Sequence, residues 1–121
     1  MNYKPMLTAV ALLSIAGTAH AHPKLLSANP AANATITAPA HIVLRFSEKL
    51  MAAFSKADLT MAAMPGMAAM KVLSTASVDK DGKTLVIKPQ AKLASGRYFV
   101  DWHVVSADTH KVAGRYAFTV K

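Results

Sequence analysis

Four methionines, Met61, Met64, Met67 and Met70, recur at every third position of the stretch Thr-Met-Ala-Ala-Met-Pro-Gly-Met-Ala-Ala-Met-Lys, residues 60–71. Residues three apart share a helix face, so a buried helical stripe would account for the spacing. Pro65 and Gly66 stand in the middle, however, and both break helices. A core stripe would also draw on leucine, with methionine as an occasional gap-filler. A flexible apolar patch for a protein partner is a further reading that suits methionine. The chemical reading is a soft-metal site. Thioether sulfur favours Cu(I). It has no proton to lose, so binding meets no competition from protons. It cannot form a disulfide, although it oxidises to the sulfoxide. Three or four such sulfurs on one loop can surround a Cu(I) ion of low coordination number, in a chain with no cysteine. The expected Cu(I) ligands are Met61, Met64, Met67 and Met70.

A second donor set depends on how the chain is processed. Lys4 precedes an apolar run from Leu7 to Ala16, broken only by Thr8 and Ser14, and Ala19-His20-Ala21 completes an A-x-A pattern. This is the layout of a secretory signal peptide cleaved after Ala21. A membrane anchor would need about 20 apolar residues, and this run is shorter. Residues 1–21 are therefore expected to be a cleaved signal, and residues 22–121 one exported domain. Cleavage makes His22 the first residue, with a free α-amine beside its imidazole. The amine and Nδ1 close a six-membered chelate on a metal. Pro23 follows and has no N–H, so a deprotonated amide of residue 23 cannot join, and the remaining ligands come from elsewhere. Asp108 and His110 are candidates: they lie two apart, so an extended backbone points both the same way. Two imidazoles, an amine and a carboxylate suit tetragonal Cu(II), which the Irving–Williams order also favours. A lone Asp-x-His or a lone terminal histidine is commonplace. The two together, beside a methionine loop, are a considerably stronger signal. Of the other histidines, His41 opens a strand and reads as a surface residue. His103 shares a face with Asp101 and reads as structural, with an outer contact to a metal site as its alternative.

These donors need a scaffold. At 121 residues the chain holds one domain. Without cysteine in an oxidising compartment, that domain stands on packing alone. Residues 41–46 alternate, with Ile42, Leu44 and Phe46 on one face. Residues 84–88 form a short apolar strand, and 97–105 are rich in aromatic and β-branched types. Residues 114–120 alternate again. Shorter strands are expected at 24–27, 57–61 and 71–78, and one helical turn at 50–55. Turn chemistry separates them at Asn29-Pro30, Asp79-Lys-Asp-Gly82, Ser95-Gly96 and Ala113-Gly114. Residues 60–71 are expected to be a loop. Seven or so short strands predict an all-β, seven-stranded Greek-key sandwich or barrel, of immunoglobulin-like or cupredoxin-like type. The 14 lysines and arginines against 6 acidic residues give a formal charge of +8. They are scattered with no run of three, which predicts a soluble basic surface rather than a polyanion site. Nucleic acid is not an expected partner.

Five stretches together resemble the CopC/PcoC family of periplasmic copper-resistance proteins: His22-Pro-Lys-Leu25, Leu44-Arg-Phe-Ser-Glu48, Met64-Pro-Gly-Met67, Tyr98 to Trp102, and Val105-Ser-Ala-Asp-Thr-His110. The resemblance spans nearly all of residues 22–121. It implies a Greek-key β-sandwich, a Cu(II) site at His22, Asp108 and His110, and a separate Cu(I) site in the methionine loop. It also implies a copper carrier that passes its ion to a CopD-like inner-membrane protein. The chain departs from the family in two places. Ala68-Ala69 stand where family members carry a loop histidine, and His103 stands where they have an arginine.

Two other functions compete with a copper carrier or buffer. An amino-terminal histidine on copper suits a copper-dependent oxidase of histidine-brace type. Asp108 would tend to fill the copper plane that oxygen needs, and one tryptophan with three tyrosines, including Tyr3 in the signal, make a poor aromatic substrate face. A metal-free periplasmic interaction module is the general alternative for an exported sandwich. The residues favour binding over catalysis, with no catalytic residue expected.

Overall fold

The computed structural model describes residues 22–121, and the expected signal peptide lies outside them. Nine strands follow in order: β1 Leu25–Asn29, β2 Thr35–Ile36, β3 Ile42–Phe46, β4 Lys56–Met61, β5 Met70–Val72, β6 Ser74–Val78, β7 Thr84–Pro89, β8 Gly96–Val105 and β9 Lys111–Val120. They form two sheets, β1-β3-β7-β6 and β2-β9-β8-β4-β5. Every pairing is antiparallel except that of β2 with β9. Among the described residues there is no helix.

The core lies between the sheets and is made by alternation. On β3, Ile42, Leu44 and Phe46 are buried while Arg45 is exposed. On β8, Tyr98, Val100, Trp102 and Val104 are buried, which turns Phe99, Asp101 and His103 to the outer face. Leu59 of β4, Leu85 and Ile87 of β7, and Phe118 of β9 complete the centre. The Tyr98 hydroxyl donates to the Ala94 carbonyl at 2.6 Å, the arrangement of a tyrosine corner. The sandwich class expected from the alternating pattern is therefore present.

Several local expectations change. Residues 71–78 are not one strand: β5 pairs with β4 and β6 pairs with β7, so the chain changes sheets at the exposed Leu73. β2 adds two residues against the end of β9. The helical turn expected at 50–55 is a β-turn, in which the Phe54 N–H donates to the Met51 carbonyl at 3.1 Å. Ala113-Gly114 is not a turn either. Both residues lie within β9, opposite His103 and Trp102. A Cβ on Gly114 would stand 2.3 Å from Trp102 Cζ2, so the glycine makes room for the indole rather than bending the chain.

Strand β8 sets the geometry of function. Its start lies beside the methionine segment, since Tyr98 pairs with Met61. Its end leads into residues 106–110. From Tyr98 to Val105 the strand covers about 24 Å at its usual rise per residue. The two donor sets therefore occupy opposite poles of the sandwich.

Candidate metal centres

At one pole, the start of the described chain is pinned. Pro23 is fully buried. The Lys24 N–H donates to Ser47 Oγ and the Ser47 N–H donates to the Lys24 carbonyl, each at 2.9 Å. This holds the exposed His22 against the β8–β9 turn. Its ring meets that of His110 edge to face, with centroids 4.8 Å apart and planes at 79°.

The turn is organised by Ser106, which is 1% exposed. Its N–H donates to the His110 carbonyl at 2.9 Å, and its carbonyl accepts the Thr109 N–H at 2.8 Å. Thr109 takes a left-handed conformation, φ 73°. Ser106 Oγ accepts the His110 N–H at 3.2 Å and donates to Asp108 Oδ1. Asp108 Oδ2 lies 2.9 Å from His110 Nδ1. The Ser106 hydroxyl, followed by the hydrogen bond to His110, lowers the Asp108 pKa to about 2, so the group is a carboxylate at neutral pH. An Nδ1 proton held by that carboxylate leaves the His110 lone pair on Nε2, an orientation that suits a ligating imidazole.

His22, Asp108 and His110 are thus neighbours in pairs. Among the described residues, no three His, Cys, Asp or Glu side chains converge on one metal position. Surrounding an ion with all three requires the exposed His22 or Asp108 side chain to rotate.

At the other pole, residues 60–71 are a hairpin rather than an open loop. Pro65 and Gly66 (φ 81°) occupy the central positions of a type II turn, which calls for proline first and then a residue of positive φ. The Met67 N–H donates to the Met64 carbonyl at 2.8 Å, and the Met64 N–H donates to the Met67 carbonyl at 2.9 Å. Met61 and Met70 face each other in the β4–β5 register. The spacing of three therefore becomes two rungs, Met64 with Met67 and Met61 with Met70. Met64, Met67 and Met70 are 36%, 46% and 50% exposed. Met61 is half-buried and packs against the core. Gly96 floors this pole. A Cβ there would stand 2.7 Å from Met61 Cε and 3.8 Å from Met64 Sδ, and its φ of 150° is one that L side chains rarely adopt. Met61 Cε and Met64 Sδ thus both lie over Gly96. The flanking Ala62, Ala63, Ala68 and Ala69 leave thioether as the donor chemistry of the hairpin.

The other two histidines among the described residues lie elsewhere. His41 is exposed just before β3. His103 is exposed on the outer sheet face, opposite Lys56, beside Asp101, which Arg115 clasps at 2.6 and 3.1 Å. Sequence reasoning missed Ser106 and Gly96. The serine two residues before an aspartate was a readable turn signal. The glycine was visible only as a turn residue.

Fold and poles together define a small β-sandwich that presents imidazole and carboxylate at one end and thioethers at the other. The CopC domain family matches residues 25–121, and the chain belongs to that family. It is 47% identical to copper resistance protein C of Xanthomonas campestris pv. juglandis over 114 residues, covering 93% of this chain and 90% of the relative. It is 44% identical to copper resistance protein C of Escherichia coli over 121 residues, covering 98% and 96%. The crystal structure of PcoC, a methionine-rich copper resistance protein from Escherichia coli, matches with a TM-score of 0.77 at 46% identity, over 84% of this chain and 100% of that one.

Proposed function

We propose that this chain is a periplasmic copper carrier or buffer of copper resistance and homeostasis, with one pole for each oxidation state. Export and cleavage after Ala21 give His22 a free amine. Cu(II) is held by that amine with the His22 imidazole, Asp108 and His110. Cu(I) is held by Met61, Met64, Met67 and Met70. The observation that carries the reading is the contact of His22 with His110 from opposite ends of the chain, with the methionine rungs at the far end of β8. Hard and soft donors are segregated by about 24 Å of strand, so an ion does not pass directly from one pole to the other. Membership of the CopC domain family, and relatives named for copper resistance, support the choice of metal. Supplying a CopD-like membrane protein with copper is the partner role that fits such a carrier.

The test is copper titration of the chain that begins at His22, beside a chain with one additional residue before it. Cu(II) is followed by electron paramagnetic resonance and Cu(I) by competition with a chromogenic chelator. The expected result is nitrogen-coupled Cu(II) that the added residue weakens while Cu(I) binding is unchanged. Binding of both ions no better than by an unrelated histidine-bearing protein would overturn the reading.

A further inference from the structure

The chain has no cysteine, so thioether is the sulfur that an oxidant meets in it. The methionines of the described residues are not equally open. Met64, Met67 and Met70 are exposed. Met61 is half-buried, with Cε over Gly96. Met51 is half-buried, and its N–H donates to the Val105 carbonyl at 2.7 Å.

We propose that Met64, Met67 and Met70 are sulfoxidation sites which a hydroperoxide modifies selectively, and that their oxidation closes the thioether pole to Cu(I) while leaving the histidine pole intact. The proposal rests on the reading of these methionines as Cu(I) ligands. In the step itself, a sulfur lone pair attacks the terminal peroxide oxygen. The S–O bond forms as the O–O bond breaks, the proton moves to the departing oxygen, and an alcohol or water leaves. Sulfur loses two electrons and the peroxide gains them. The product is polar and presents a hard oxygen in place of a soft lone pair.

The hairpin tolerates this change. It is closed by backbone bonds between Met64 and Met67 and by the β4–β5 pairing, neither of which uses a methionine side chain. Met64, Met67 and Met70 are exposed, so an oxygen added to these side chains can be hydrated. On Met61 it would press on Gly96 or the core. Oxidant and soft metal ion compete for the same lone pairs, so a loaded pole resists oxidation and an empty one does not. Sulfoxide reduction restores the thioether.

The test treats the metal-free chain beginning at His22 with hydrogen peroxide. Sulfoxide is mapped by peptide mass, Cu(I) binding by competition with bicinchoninate, and Cu(II) binding by electron paramagnetic resonance. A parallel sample carries Ag(I), a soft ion that peroxide does not cycle. Expected are oxygen on Met64, Met67 and Met70 ahead of Met51 and Met61, loss of Cu(I) binding in step, unchanged Cu(II) spectra, and protection by Ag(I). Equal oxidation of Met51 or Met61 would overturn the proposal. So would an oxidised chain that binds Cu(I) as tightly as the untreated one. An untreated chain that ignores Cu(I) overturns the carrier reading and the gate together, and the untreated control distinguishes that case.

Discussion

His22 and His110 meet edge to face at 4.8 Å, and the turn that presents His110 is built around the Ser106 hydroxyl. Pinning by Lys24 and Ser47 brings one imidazole to the pole, and Ser106 orients the other through the Asp108 carboxylate. The pole therefore brings two imidazoles into contact beside an exposed carboxylate.

Replacing Ser106 by alanine removes the acceptor of the His110 N–H and the donor to Asp108. The part-buried His110 N–H left behind costs up to about 1–3 kcal/mol of stability. Loss of a hydrogen bond that orients a ligand weakens metal binding about 10–100-fold. S106A is expected to lower Cu(II) affinity on that scale and to leave Cu(I) affinity as it was, measured by the two titrations above. Equal weakening of both ions would show a general loss of fold instead.

Gly96 is the corresponding residue at the thioether pole. G96A places a methyl 2.7 Å from Met61 Cε, on a backbone whose φ is 150°. Strain there is expected to cost about 1 kcal/mol or more and to push Met61 away from Met64. Cu(I) affinity should fall while the Cu(II) spectrum is unchanged. A Cu(I) affinity equal to that of the parent would show that Met61 takes no part in the site.

Much of this was legible in the sequence because it is carried by local pattern. The alternation of β3 and β8 is plain in residues 42–46 and 97–105, and donor chemistry is a property of residue type. What was not legible depends on distant neighbours. The alternation runs through Leu73 without a mark, so the change of sheet there is set by the partners β4 and β7. Two residues at Thr35–Ile36 are too few to show a period. Gly114 looked like a turn because the indole that requires it comes from another strand. The methionine spacing revealed thioethers, but the rungs follow from the pairing that Pro65 and Gly66 impose.

The Gly114 contact yields its own expectation. Trp102 is the single tryptophan. It packs edge to face on Phe46 at 5.1 Å and lies against the bare backbone of Gly114. G114A overfills this site and is expected to cost about 1–3 kcal/mol. Displacement of the indole should shift its fluorescence to the red in the native state. An unchanged emission maximum with parental stability would mean that β9 yields instead.

Alkaline titration tests the packing at Tyr116 and Tyr98. Burial raises the Tyr116 pKa to about 12, and burial also raises that of Tyr98. Tyr3 belongs to the expected signal, so these are the two tyrosines of the processed chain. Well below pH 10 the phenol of Tyr116 is neutral whether the chain is folded or unfolded, and it contributes no pH dependence. Between the ordinary value of 10.0 and about 12, the unfolded chain releases its proton while the folded one keeps it. Stability therefore falls as pH rises through that window, by on the order of 2 kcal/mol at its upper end. Absorbance at the tyrosinate band should show both native groups titrating above the value found in urea, and Y116F should lose one of the two steps. A native tyrosinate step at the urea value would show that the Tyr116 hydroxyl reaches solvent.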